Sequence, residues 1–124
     1  IGDAAAAPAL VSVLSDVNSA VRLAAAQALS KIGDAATAPA LVTALSDADS
    51  YVRRAAAEAL GELVAKYNEW DSANIDRIAK KLATCIYDRD GGVVTAAAEA
   101  LEQSATAIAV RDTGKLAGER QLEW

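Results

Sequence analysis

The chain contains one cysteine and no histidine, which removes most side-chain chemistry at the outset. Without an imidazole there is no Ser–His or Cys–His nucleophile pair, no histidine general base and no histidine-based metal site. Cys85 lies beside Leu82 and Ile86 on an apolar helix face, where a thiol is expected to be buried and inert. A single cysteine also excludes an intrachain disulfide framework. The carboxylates are the remaining candidates. Asp88-Arg89-Asp90-Gly91-Gly92, with Glu99 further on, has the look of a calcium loop, but its glycines do not fall at the sixth position that such a loop requires. Asp88 and Asp90, like Asp47 and Asp49, read better as link residues and helix caps. Gly91-Gly92 before a helix could hold an anion at the helix N-terminus, and the adjacent Asp88 and Asp90 oppose it. No catalytic residue, metal or cofactor is expected.

The elements that position these residues are repeated. IGDAAAAPALVSVLSDVNSAVRLAAAQALSK begins at Ile1 and IGDAATAPALVTALSDADSYVRRAAAEALGE at Ile32. About two-thirds of the paired positions agree at a spacing of about 31 residues, and a fixed period of this size marks units that bury their apolar faces by stacking. Gly2-Asp3 and Gly33-Asp34 read as a left-handed helix stop followed by a capping aspartate. Pro8 and Pro39 fall near the start of the next helix, where a missing N–H costs least. Leu10, Val11 and Leu14, then Leu41, Val42 and Leu45, share one helical face. A polar link follows (Ser15 to Ser19, Ser46 to Ser50), and second helices begin near Val21 and Val52, with Asn18 or Ser19 and Asp49 or Ser50 as caps.

A third, altered copy runs from Asp88 to Leu101 and aligns with Asp47 to Leu60, its period about ten residues longer. The excess falls between Leu60 and Ile75. The second helix of the middle unit is expected to continue through Leu63, Val64 and Tyr67, with a break at Asn68 to Ser72 and a new helix carrying Ile75, Ile78, Leu82 and Ile86. After Ala109 the pattern fades, with Leu122 and Trp124 as residues that could fold back on the last repeat. The expected fold is all-α: a right-handed α-solenoid of about three helix–turn–helix units, the third elongated, in one domain. The units are placed at about 1–31, 32–62 and 63–103, followed by a tail at 104–124. Lacking an initiator Met and opening inside a repeat, the sequence reads as a piece of a longer protein.

The VRxAAAxAL runs (Val21 to Leu29, Val52 to Leu60), the IGDAAxAPAL runs and the SDxxS links resemble HEAT-like repeats. The closest type is the short variety also found in phycobilisome lyases and in natural and engineered scaffold proteins. The resemblance is strong from Ile1 to about Glu62 and weaker from Asp88 to Gln103; the stretch between and the tail are not covered. It implies a polar ladder between adjacent repeats, formed by the link aspartate and the arginine of the VR pair. By position this pairs Asp16 with Arg22 and Asp47 with Arg53. Val94 stands where the third arginine would be, so the ladder should stop there. The resemblance also implies that the second helices line a concave surface.

The two copies allow an internal comparison. Positions that agree include Ile1/Ile32, Val21/Val52, Ala25/Ala56 and Leu29/Leu60, the expected packing set. Positions that differ in the second helix are Ala20/Tyr51, Leu23/Arg54, Gln27/Glu58, Ser30/Gly61 and Lys31/Glu62. Their i, i+3, i+7, i+10, i+11 spacing makes one stripe of one face. The third unit adds Gly92, Thr95, Glu99, Glu102 and Gln103. This stripe is the expected partner-binding surface, with Tyr51 and Arg54 the hot spots by residue type. Trp70, on the break between helices, is a second candidate anchor.

A net charge of −5 has the wrong sign for a phosphate-neutralising surface, so nucleic acid is not an expected partner. No apolar run approaches the length of a membrane span, and no secretory signal is visible; the chain reads as cytoplasmic. Expected is a non-catalytic scaffold that binds another protein. Two alternatives are a bilin lyase-like subunit, implied by the resemblance alone, and a module that self-associates through its uncapped N-terminal repeat edge.

Overall fold

The computed structural model describes residues 7–66 and 72–106. Six α-helices occupy them: α1 (Ala7–Val13), α2 (Ser19–Ile32), α3 (Ala38–Ala44), α4 (Ser50–Lys66), α5 (Ser72–Thr84) and α6 (91–106). Short 3-10 turns at Ala35–Thr37 and Cys85–Tyr87 complete the set, and no strand occurs among the described residues. The helices form three successive pairs. α1 packs on α2, α3 on α4, and α2 lies along α4. This is an all-α helical repeat solenoid.

Local chemistry accounts for each boundary. Gly33 ends α2 at φ 64°, its N–H donating to the Leu29 carbonyl; only glycine adopts this backbone without strain. The Asp34 carboxylate then accepts the Ala36 N–H at 2.9 Å, so this aspartate caps a 3-10 turn that leads into α3 instead of capping α3 itself. Pro39 falls in the first turn of α3. Each link repeats one double motif. The carboxylates of Asp16, Asp47 and Asp88 accept the N–H two residues on, at 2.8, 2.9 and 2.9 Å. Asn18, Asp49 and Asp90 then accept from Ala20, Tyr51 and Gly92 at 2.9, 2.8 and 2.8 Å, capping the second helices. Of the expected break at residues 68–72, Ser72 is already the first residue of α5; residues 68–71, Tyr67 and the capping of α5 lie outside the described residues, as do Gly2-Asp3, Leu122 and Trp124. The last helix is continuous to residue 106, past the position where the tail was expected to begin.

Between the pairs the core is built from Leu29, Leu41, Leu60, Leu63, Ile75, Leu82, Val52, Val64 and Val93, interleaved with buried alanines. Small residues let the second helices approach closely. At Gly61 an added Cβ would sit 3.0 Å from Ala100 Cβ and 3.1 Å from Ala100 Cα. α4 is 17 residues long against 14 for α2. Its three extra residues bury Val64, which joins Leu63 in the same cluster as Ile75 and Ile78. It also carries Lys66, whose Nζ donates to the Gly33 carbonyl at 3.3 Å, placing a cation at the C-terminal end of α2.

Charge pairs tie the units together, one repeat out of register from the expected pairing. Arg22 does not pair with the Asp16 carboxylate; its Nε and Nη2 donate to Asp47 Oδ2 and Oδ1 at 2.9 and 3.0 Å. Arg53 likewise reaches Asp88, at 2.8 and 3.1 Å, and not the carboxylate of Asp47. What each arginine takes from its own unit is a main-chain carbonyl, Asp16 O for Arg22 and Asp47 O for Arg53, each at 2.7 Å. The reason is geometric: every link aspartate closes its own turn alike, but it is the next unit's carboxylate that lies beside the guanidinium fork. With Val94 at the third arginine position, the ladder has two rungs among the described residues.

The Arg53 hydrogen bonds, helped by the Asp90 N–H, hold Asp88 below its ordinary 3.8. Burial pushes Asp47 the other way, but Arg22 and the Asp49 N–H outweigh it and its pKa is also lowered. A carboxylate depressed in the folded state contributes stability above its unfolded pKa and loses it as pH falls through the folded value. Thermal stability should therefore drop as pH is lowered from neutral to the ordinary carboxylate value of 3.8 and below it. The D47N/D88N variant should start lower at pH 7 and show a flatter decline, read by melting curves across that range. Removing one rung with Arg53→Gln leaves Asp88 unpaired and should cost about 2 kcal/mol in denaturant unfolding. At the Gly61–Ala100 contact, Gly61→Leu should overpack the α4–α6 seam by about 1–3 kcal/mol, seen as a lower urea midpoint.

Candidate functional site

α2, α4 and α6 stand side by side, and the positions at which the repeats differ run across them. Ala20, Gln27 and Lys31 of α2, Tyr51, Arg54, Glu58 and Glu62 of α4, and Thr95, Glu99, Glu102 and Gln103 of α6 are all exposed. Tyr51 is the most open aromatic of the stripe, 65% exposed. Four members behave differently, Ser30 and Gly92 being half-buried. Leu23 is half-buried and packs on the core, because an aliphatic side chain there folds down where Arg54 reaches outward. Gly61 is buried against Ala100; it differs from Ser30 because the α4–α6 seam is tighter, not because the position is free.

Side chains of the stripe bridge the helices. The Ser30 hydroxyl donates to the Glu62 carboxylate, joining α2 to α4. Arg54 Nε binds Glu58 Oε1 at 3.0 Å, and the same guanidinium stem lies over α6, where a Cβ at Gly92 would come 3.3 Å from Arg54 Cδ. Two shallow clefts follow the helix seams. One, between α2 and α4, is lined by Gln27, Ser30, Lys31 and Ala55; the other, between α4 and α6, by Gly61, Ala96, Glu99 and Gln103. Glu58 and Glu62 line both. The stripe is thus one continuous, mostly polar surface in which carboxylates predominate.

The family model for HEAT repeats matches residues 1–61. The chain is a HEAT-like repeat protein. None of the curated proteins matches it. The matched segment holds the first two helix pairs, α1/α2 and α3 with most of α4. The third pair extends the HEAT-like stack beyond the match, joined to it by the Arg53–Asp88 rung.

The acidic loop before α6 is used up in holding this architecture. Asp88 accepts Arg53 and the Asp90 N–H, while Asp90 accepts the N–H groups of Gly92 and Val93. No cluster of three or more His, Cys, Asp or Glu suited to a metal ion occurs among the described residues. Cys85 is buried, and that burial raises its thiol pKa, which keeps the sulfur protonated and poorly nucleophilic at neutral pH. No described helix is long and apolar enough to cross a membrane. Trp70, the other anchor candidate, lies outside the described residues.

A groove of about 370 Å³ that the repeat pattern did not announce lies on the opposite side, between α3 and α5. Ala38, Pro39, Val42 and Ile78 form its apolar lining, with Arg77 and Lys81 at the rim.

The exposed ion pair of the stripe should be a poor stabiliser, since both side chains keep about half their exposure. R54A/E58A should shift unfolding by no more than about 0.5 kcal/mol, measured by chemical denaturation. That outcome makes both residues free to vary in binding experiments.

Proposed function

We propose that this protein is a non-catalytic scaffold that binds a partner polypeptide across the second-helix surface of its HEAT-like stack. HEAT repeats generally mediate protein–protein interaction. The observation that supports this particular surface is the stripe itself. Across three helices, residues that packing leaves unconstrained are exposed and contiguous, and they line adjoining clefts. Tyr51 offers a large amphipathic side chain of the kind that dominates interface energetics. Glu58, Glu62 and Glu99 favour a partner segment that carries basic residues, with specificity gained from charge complementarity more than affinity.

Folding can be separated from binding at this site. In Y51A/R54E/E58K the charge reversal keeps an i, i+4 pair, now with the carboxylate N-terminal to the ammonium, the more favourable order for a helix. The triple variant should melt within a few degrees of wild type. A partner captured by wild type from source-cell lysate should be lost from the variant, and its purified complex should weaken by about 100-fold, as expected when a central aromatic and a charge pair are removed together. Equal capture by both proteins would rule out this surface.

A further inference from the structure

The groove between α3 and α5 sorts its chemistry by wall. The α3 side supplies Ala38, Pro39 and Val42, from a stretch, 35–44, that holds no charged residue. The α5 side supplies Ile78 to the apolar lining and Arg77 and Lys81 to the rim. Both cations are exposed, and neither enters an ion pair among the described residues, whereas Lys80 beside them is held by Asp76 at 3.2 Å. No acidic side chain lines the groove. In a chain of net charge −5, it is an apolar trough edged by positive charge alone.

The repeat shows that packing does not require these cations. With Asp88 set on Asp47, Leu82 falls on Leu41 and Ile78 on Thr37, and all four of those residues on the inner face are buried. In that register Arg77 and Lys81 stand where the second unit has Ala36 and Ala40 and the first has Ala5 and Ala9. The helix–turn–helix unit thus needs nothing larger than a methyl group at either place. The groove also lies inside the stack. Its walls belong to the second and third units, and a repeat added to a solenoid stacks on an end unit, not across an outer seam.

We infer that this groove docks an acidic amphipathic helix of a partner protein, its apolar side chains in the trough and two carboxylates on Arg77 and Lys81. Charge complementarity selects that occupant. Arg77 and Lys81 are four residues apart on α5, so their side chains start about 6 Å apart along its axis. Carboxylates at i and i+4 on a helix lying along the groove have the same spacing. The Arg77 guanidinium can take a carboxylate with both prongs, and Lys81 adds a point charge one turn on. An apolar groove between two helices is in turn a shape that receives the apolar stripe of a third. This surface selects the opposite charge from the second-helix stripe, lies on the other side of the stack and does not rest on it.

A defined peptide tests it. The probe is a fluorescein-labelled, amidated peptide of about 16 residues, long enough to hold a helix in water. It carries leucines at i, i+3, i+4 and i+7 and two glutamates one turn apart beside them; a second peptide has glutamine at both acidic positions. Fluorescence anisotropy should show the full chain binding the glutamate peptide about tenfold more tightly than the glutamine peptide, the difference shrinking as salt is raised. R77E/K81E should abolish that preference while melting with wild type, and Y51A/R54E/E58K should keep it. R77Q/K81Q, which introduces no charge, should lose the preference as well. Equal binding of the two peptides, or a preference that survives R77E/K81E, would overturn the inference. Failure of both peptides to bind would do the same; a lower melting temperature for R77E/K81E would then show a groove filled from within the chain. Binding of decanoate at this groove in place of the peptide would also overturn it, making the groove a site for small amphiphilic anions.

Discussion

One carboxylate per link holds the stack in register. Asp47 closes its own turn by accepting the Asp49 N–H and receives both prongs of Arg22 from the preceding unit; Asp88 does the same with Asp90 and Arg53. The arginine meanwhile binds the main-chain carbonyl of its own link. A rotation or slide of one helix pair against the next would break a turn, a bidentate pair and a carbonyl bond together. That coupling is worth more to uniqueness than to net stability, because the pairs are only partly buried and the desolvation of charged groups offsets much of their attraction.

Beneath the ladder, the units are held by close packing of small and branched side chains. Alanines at 26, 56, 57, 59 and 97 are fully covered, and Gly61 lets α6 come nearly to backbone contact with α4. A core of this kind has few large side chains to rearrange, so it tolerates little change in volume. The outer surface of the second helices inherits this rigidity. Preorganised side chains lose less conformational freedom on binding than those on a loop, which suits the stripe from Tyr51 to Glu99 to recognition of another chain.

Charge is sorted between the faces. The second helices present Glu58, Glu62, Glu99 and Glu102, whereas α5 presents Arg77 and Lys81 to solvent, with Lys80 paired to Asp76. The repeat explains the first distribution only in part, since Gln27 and Lys31 of α2 occupy the positions that Glu58 and Glu62 take in α4. Divergence at fixed packing has therefore made the α4–α6 end of the surface more acidic than the α2 end.

The helix–turn–helix unit, its period and its caps were legible in the sequence because they arise within a few residues of chain. A left-handed glycine at 33, aspartates that bind the N–H two residues on, and a proline in the first turn act locally, whatever lies nearby. The alternation of agreeing and differing positions between the copies separated core from surface over much of α4, though not at Gly61, and less well in α2, where Val21 is exposed and Leu23 packs on the core. Long-range choices were not legible. Asp16 and Asp47 are the same residue in the same local motif, so nothing in the chain indicates which of them Arg22 reaches; the offset between stacked helix pairs decides it. The same stacking makes Gly61 a contact point and not a variable surface position, and it brings α3 and α5 to the two sides of one groove. Each depends on where a neighbouring unit comes to rest, and that position is a property of the whole packed stack.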